Sequence, residues 1–128
     1  MKYFTLLYLT VFLFASSLTN AQDIKRIRVN VKTTKDAVRP LLLSFTPNNA
    51  ATDGFDYGYD GLCVDEMEDD LNYIIENKRC VIQGVGAFDS TKQYPFGMFI
   101  KHPGNIEISL DALENFESEV KVYIYDSL

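Results

Sequence analysis

Eight of the eighteen acidic residues of this 128-residue chain lie between positions 51 and 70, in the stretch ATDGFDYGYDGLCVDEMEDD. Asp53, Asp56 and Asp60 have the spacing D-x-x-D-x-x-x-D. A hard cation such as calcium is held by several carboxylate oxygens together with carbonyls and water, so these three are the candidate metal ligands and calcium the candidate ion. The spacing matches no EF-hand loop, which wants ligands at alternate positions and a glutamate at the twelfth. Turn chemistry explains the same residues with fewer assumptions. Aspartates bond to backbone two residues on, and Gly54, Gly58 and Gly61 permit the positive φ of successive tight turns.

The run that follows, Asp65, Glu66, Glu68, Asp69 and Asp70, has the residue type a glycosidase needs. Such enzymes place two carboxyl groups across a sugar, one with a raised pKa, and the pair usually comes from different elements. A contiguous run is therefore read as a solvated acidic turn. His102 would need a nucleophile and an orienting acid to work in a triad, and nothing in the sequence singles these out. Beside Pro103 and Gly104 it reads as a turn residue. The GVG at 84–86 lacks the Lys-Ser or Lys-Thr and the helix of a phosphate loop. Gly84, Gly86 and Gly97, in or next to strands, suggest bulges or close backbone approach.

The elements that position these groups have the periodicity of strands. In IKRIRVNVK, Ile27, Val29 and Val31 alternate with Arg26, Arg28, Asn30 and Lys32, the period-2 pattern of a half-buried strand. Pro40 precedes LLLSF, a buried-strand run with the proline confined to its start. In LNYIIENKRCVIQGV two apolar runs flank Glu76-Asn77-Lys78, which predicts a hairpin. PFGMFIKHPGNIEISL predicts a second, with Phe96, Met98 and Ile100 on one strand, Ile106, Ile108 and Leu110 on the other, and a type II turn at 102–105. DALENF has the Asp111 and Glu114 spacing of a capped helical turn. EVKVYIYDSL alternates Val120, Val122 and Ile124 against Lys121, Tyr123 and Tyr125 as a last strand. Six or so short strands with no long amphipathic helix predict an all-β fold, an antiparallel two-sheet β-sandwich of immunoglobulin-like or jelly-roll-like type.

Lys2 followed by the apolar run Phe4 to Ala15 is too short for a bilayer, which needs about 20 residues, and reads as a signal peptide over residues 1–21, helical, with cleavage after Ala21. A single domain over 22–128 remains, of 107 residues, with no transmembrane segment. Its eleven basic and eighteen acidic side chains leave a net charge of −7, which argues against nucleic acid as a partner. Export sends Cys63 and Cys80 to a compartment where disulfides persist. They form the candidate disulfide, which would close a loop worth roughly 3 kcal/mol; two separately buried thiols are the alternative. Zinc is set aside, because two cysteines and one histidine do not complete its ligand set.

The stretches LLLSFTPNNAATDGFDYGYDG, YIIENKRCVIQGVGAFDSTKQYPFGMFI, GNIEISLDALENF and VYIYDSL together resemble a β-sandwich module found near the C-terminus of large secreted and cell-surface proteins of the type nine secretion system. The similarity covers residues 39 to 128. It implies an extracellular adhesive or scaffolding role, not catalysis, and carries over no active-site residues. Such modules usually precede a sorting domain, whereas here nothing follows Leu128. The resemblance therefore leaves two expectations, a truncated relative of a secreted or surface protein and a free-standing periplasmic module with an unpaired sheet edge. A carbohydrate-binding module is the competing function, with Tyr57, Tyr59, Tyr94 or Tyr123 stacking on sugars, although the chain has no tryptophan. The expected partners are accordingly an extracellular protein or a glycan.

Overall fold

The computed structural model describes residues 23–126, so the expected leader at 1–21 lies outside the described residues. Seven strands form, β1 Lys25–Lys32, β2 Val38–Phe45, β3 Gly61–Leu62, β4 Asp70–Ile75, β5 Lys78–Val85, β6 Phe96–Phe99 and β7 Glu107–Glu114. The fold is all-β, and no helix among the described residues is long and apolar enough to cross a membrane.

Hydrogen bonding joins the strands into one mixed, curled sheet in the order β6-β4-β5-β2-β1-β7, with β3 attached to β5 off this path. The described strands thus form one sheet where two antiparallel sheets are expected, and the pairing is mixed, since β2 and β5 run parallel from Leu42 opposite Ile82 to Phe45 opposite Val85. β5 is the junction of the sheet. Its first residues pair with β4, its last with β2, and Cys80 and Ile82 with β3.

The alternation in β1 and β2 does what the sequence predicts. Ile27, Val29 and Val31 are buried, and opposite them in register stand Leu43, Leu41 and Arg39. Residues directly opposed across an antiparallel ladder share a face, so these side chains make one apolar layer with a single guanidinium at its end. Leu71, Tyr73 and Ile75 of β4 complete the core with Cys80 and Val85 of β5. Each apolar side chain so buried contributes about 1.5–3 kcal/mol relative to an exposed one.

The hairpin at β4–β5 forms as expected, with Ile75 opposite Lys78 and a two-residue turn in which Glu76 and Asn77 both have positive φ, 48° and 64°. That is the type I′ arrangement, which favours Asn-Gly because a Cβ at positive φ is strained. Replacing Glu76 by asparagine is expected to raise stability by up to about 1 kcal/mol, read as a higher midpoint in urea unfolding; an unchanged or lower midpoint would contradict the turn assignment.

Three expectations are corrected. β6 and β7 do not form a hairpin and instead occupy opposite edges of the sheet, β6 against β4 and β7 against β1. Phe96 stacks on Tyr73 at 4.9 Å, and Asp69 captures the N–H groups of Lys101 and His102 at 2.7 and 3.0 Å, so the chain leaving β6 is held near the acidic run. DALENF is not a helical turn. Asp111 is the extra residue of a β-bulge between Ala112, opposite Arg28, and Leu110, opposite Val29, and the strand continues to Glu114. The last predicted strand does not form among the described residues, and 120–126 is not part of the sheet.

Candidate functional site

The acidic run proves to be an organised centre. Asp69 and Asp70, expected in a solvated turn, are 3 % and 0 % exposed. Two arginines that sequence reasoning did not assign to the run account for the difference, Arg39 from β2 and Arg79 from β5.

Arg39 is buried because it shares strand parity with Leu41, Leu43 and Phe45, all on the core face. Its Nε and Nη2 donate to the two carboxylate oxygens of Asp70 at 2.9 and 3.0 Å, a two-point clamp. Nη1 donates to Asp65 Oδ1 at 2.9 Å, and Nη2 also to the Asp65 carbonyl at 2.7 Å. Planar two-point recognition of this kind suits arginine and not lysine. Asp70 accepts further hydrogen bonds from the Met67 and Leu71 N–H groups at 3.2 and 2.9 Å and from Arg79 Nη2 at 3.1 Å. Arg79 in turn donates to Asn72 Oδ1 at 2.8 Å, pairs with Glu66 at 3.0 Å and lies over the Phe99 ring at 3.8 Å.

A second knot adjoins the first. Asp69 accepts from the Thr34 hydroxyl, from the two N–H groups of Lys101 and His102, and faces His102 Nδ1 at 2.9 Å. Glu68 pairs with Lys35 at 2.7 Å. Residues 65–70 thereby staple together the β1–β2 turn, the start of β2, β5 and the segment after β6.

The electrostatics follow from these partners. The Thr34 hydroxyl and the Lys101 and His102 N–H groups outweigh burial and hold the Asp69 carboxyl well below the ordinary range. Burial pushes Asp70 upward, but Arg39 and the Met67 and Leu71 N–H groups overcome it and leave its pKa lowered. The same clamp raises Arg39 above its already high value. Asp69 and Asp70 thus have neither the raised pKa nor the open face that a catalytic acid needs.

Cys63 and Cys80 are free thiols, which corrects the expected disulfide. In the β3–β5 ladder it is Leu62 that stands opposite Cys80, so Cys63, one residue on, lies on the other side of the pleat. Cys63 Sγ sits 3.8 Å from Asp70 Oδ2, and burial pushes its thiol up despite the pull of Arg39. A thiol of raised pKa is a poor nucleophile at neutral pH. His102 also lacks triad geometry. Its Nδ1 faces Asp69, while Nε2 lies 4.0 Å from Glu68, where a nucleophile would have to stand.

The candidate calcium ligands do not converge. Asp53 pairs with Lys92 at 2.7 Å. Asp56 Oδ2 accepts from the Thr52 N–H and hydroxyl at 2.6 and 2.8 Å. Asp60 accepts from the Asp56 N–H at 2.6 Å and, with its other oxygen, from the Gly84 N–H at 2.8 Å. Among the described residues no cluster of three or more His, Cys, Asp or Glu side chains is arranged to hold a metal ion. The hydrogen bonds support the turn reading, in which Asp60 ties the loop to β5. Of the three loop glycines only Gly58 has positive φ, 87°. Gly84 does show the expected close approach, since a Cβ there would lie 2.7 Å from Tyr59 Cβ and 2.9 Å from its carbonyl oxygen. Millimolar calcium is expected to leave the melting temperature unchanged; a rise reversed by chelator would contradict the turn reading.

The aromatic residues divide into two classes. Tyr73 is buried and Tyr94 half-buried, its hydroxyl pushed up to about 12 by burial. Tyr57, Tyr123 and Tyr125 are 90 %, 81 % and 79 % exposed. At the far end of the sheet, Phe45, Phe88 and Phe116 meet edge to face and floor an open groove of about 580 Å³ rimmed by Lys25, Pro47 and Asn115.

Among known proteins, the family described as a domain of unknown function (DUF8693) matches the chain over residues 10–128. No curated protein and no solved structure matches it.

Proposed function

We propose that this chain, which belongs to that family of domains of unknown function, is a non-catalytic, exported module of β-sandwich type with an adhesive or scaffolding role in a secreted or cell-surface setting, as the resemblance to type nine secretion modules implies. The observation that carries the reading is the Arg39–Asp70 clamp. Both Asp70 carboxylate oxygens accept from protein donors, and the effect is to hold loops against the sheet. Groups that act on a substrate need free valence directed at it; Asp69 and Asp70 direct theirs inward, and the exposed Asp65, Glu66 and Glu68 are each paired with a cation of the protein.

The competing reading, a carbohydrate-binding module, is favoured by the exposed tyrosines. Tyr123 and Tyr125 are two apart in a segment outside the sheet, and in extended backbone such residues fall on one side about 7 Å apart, a spacing over which aromatic rings can engage successive sugars. A glycan array probed with the purified chain separates the two. Retention of no glycan supports the scaffold, and glycan binding lost in Tyr57→Ala or Tyr123→Ala supports the alternative. Sustained turnover of glycosides or esters, abolished by Asp70→Asn in a variant that remains folded, would overturn both.

A further inference from the structure

We infer that residues 120–125 are an interaction strand, and that its partner is the open edge of β7 in a second copy of this chain. Three observations meet here. First, the segment has the composition of a strand, with Val120, Val122 and Ile124 alternating against Lys121, Tyr123 and Tyr125. Yet among the described residues its backbone makes no hydrogen bond, and Ile124 is 56 % exposed. Backbone donors and acceptors in a strand-forming sequence are ordinarily paired.

Second, β7 ends the sheet, and its core face is incompletely covered. Ile108, Leu110 and Leu113 stand opposite the buried Val31, Val29 and Ile27, so they point into the core layer, but Leu110 is 49 % and Leu113 37 % exposed. The strand carries no lysine or proline to protect its edge, and only the bulge at Asp111 interrupts it. A strand laid along Glu107–Leu110 would close the ladder, and its inward side chains would cover Leu110. The other terminal strand, β6, is four residues long against eight for β7, and suits a six-residue partner less well.

Third, the chain's own tail is led away from that edge. After β7, Asn115 turns with φ 63° and its Nδ2 donates to the Ile24 carbonyl at 2.8 Å. Phe116 then packs on Phe88 at 5.2 Å and Phe45 at 6.3 Å. Ile24 precedes β1 and Phe45 ends β2, so both anchors lie on the β1 side of β7, opposite its open edge. A hairpin back onto β7 is thereby disfavoured within one chain, and the tail is offered to another. Reciprocal exchange of two tails closes a two-fold dimer and leaves no open β7 edge.

Sedimentation velocity on the purified chain across a dilution series tests this. A concentration-dependent dimer is expected, and Ile124→Pro, which removes a ladder N–H, and Leu110→Lys, which places a charge on the acceptor, are each expected to weaken it by about tenfold or more without lowering the melting temperature of the monomer. Should Leu110→Lys disturb folding, a synthetic peptide of residues 117–126 added to the unaltered chain is expected to dissociate the dimer. A chain that is monomeric at every concentration, or a dimer that withstands Ile124→Pro and the peptide, would overturn the inference.

Discussion

Replacing Asp70 by alanine is expected to cost about 3–5 kcal/mol, because it removes the buried half of an ion pair and leaves the buried Arg39 guanidinium only the exposed Asp65 carboxylate as counter-charge. Arg39 is 4 % exposed and Arg79 also pairs with Asp70, so solvent does not replace what is lost, and Asp65, bonded through Nη1, leaves Nε without its carboxylate partner. For a domain of this size 1 kcal/mol corresponds to about 4–8 °C, so a fall in melting temperature of at least about 12 °C should follow. Asp65→Ala removes a partner that is itself mostly exposed and should cost far less, about 1 kcal/mol or under. Thermal unfolding of the two variants side by side checks the ordering; equal effects would mean that the exposed carboxylate and the buried one do the same work.

Acid should unfold the protein through the same centre. The folded pKa values of Asp69 and Asp70 are depressed, Asp69 first by the Thr34 hydroxyl and Asp70, against the burial that raises it, by Arg39. A carboxylate whose folded pKa lies below its unfolded value contributes stability that is complete above the unfolded value, about 3.9, and is lost as pH falls from there toward the folded one. Stability should therefore be level from neutral pH down to about 5 and decline steeply below about 4. Asp69→Asn should start lower at pH 7 and decline less. Urea midpoints measured between neutral pH and about 2.5 give the answer; a wild-type midpoint that stays level through the acid range would show that the two carboxylates are not held as described.

What could be read in advance and what could not divide along the distance between partners. The alternation of Ile27, Val29 and Val31 and the turn at Glu76 and Asn77 depend on neighbours in sequence, and both stand in the structure. The clamp depends on residues 31 apart, and the acidic run taken alone looked like a solvated loop. A signal was nevertheless available. Arg39 has the parity of Leu41, Leu43 and Phe45, and a charged residue in phase with a buried row demands a buried partner, for which the acidic run is the obvious supply. Nothing comparable exposed the fate of β6 and β7. His102-Pro103-Gly104-Asn105 satisfies the local rule for a turn between two strands, but that rule does not register that β4 and β1 each offer a longer-range edge. Gly104 indeed has a φ of 149°, away from the value a type II turn requires. The thiols illustrate the same limit. Their spacing permitted a bridge, and one residue of register in the β3–β5 ladder placed Cys63 among Arg39, Asp65 and Asp70 instead.

A double-mutant cycle between Arg39 and Asp70 addresses the central claim, that the acidic run exists to hold the sheet and its loops together. Urea unfolding of Arg39→Met, Asp70→Leu and the double variant gives the coupling free energy directly. Each single change should be strongly destabilising, and the double should cost less than their sum by about 1.5–3 kcal/mol, since removing both charges leaves neither unpaired. Additivity within about 0.5 kcal/mol would mean that the two side chains act independently, and the clamp would then not be what binds these elements into one structure.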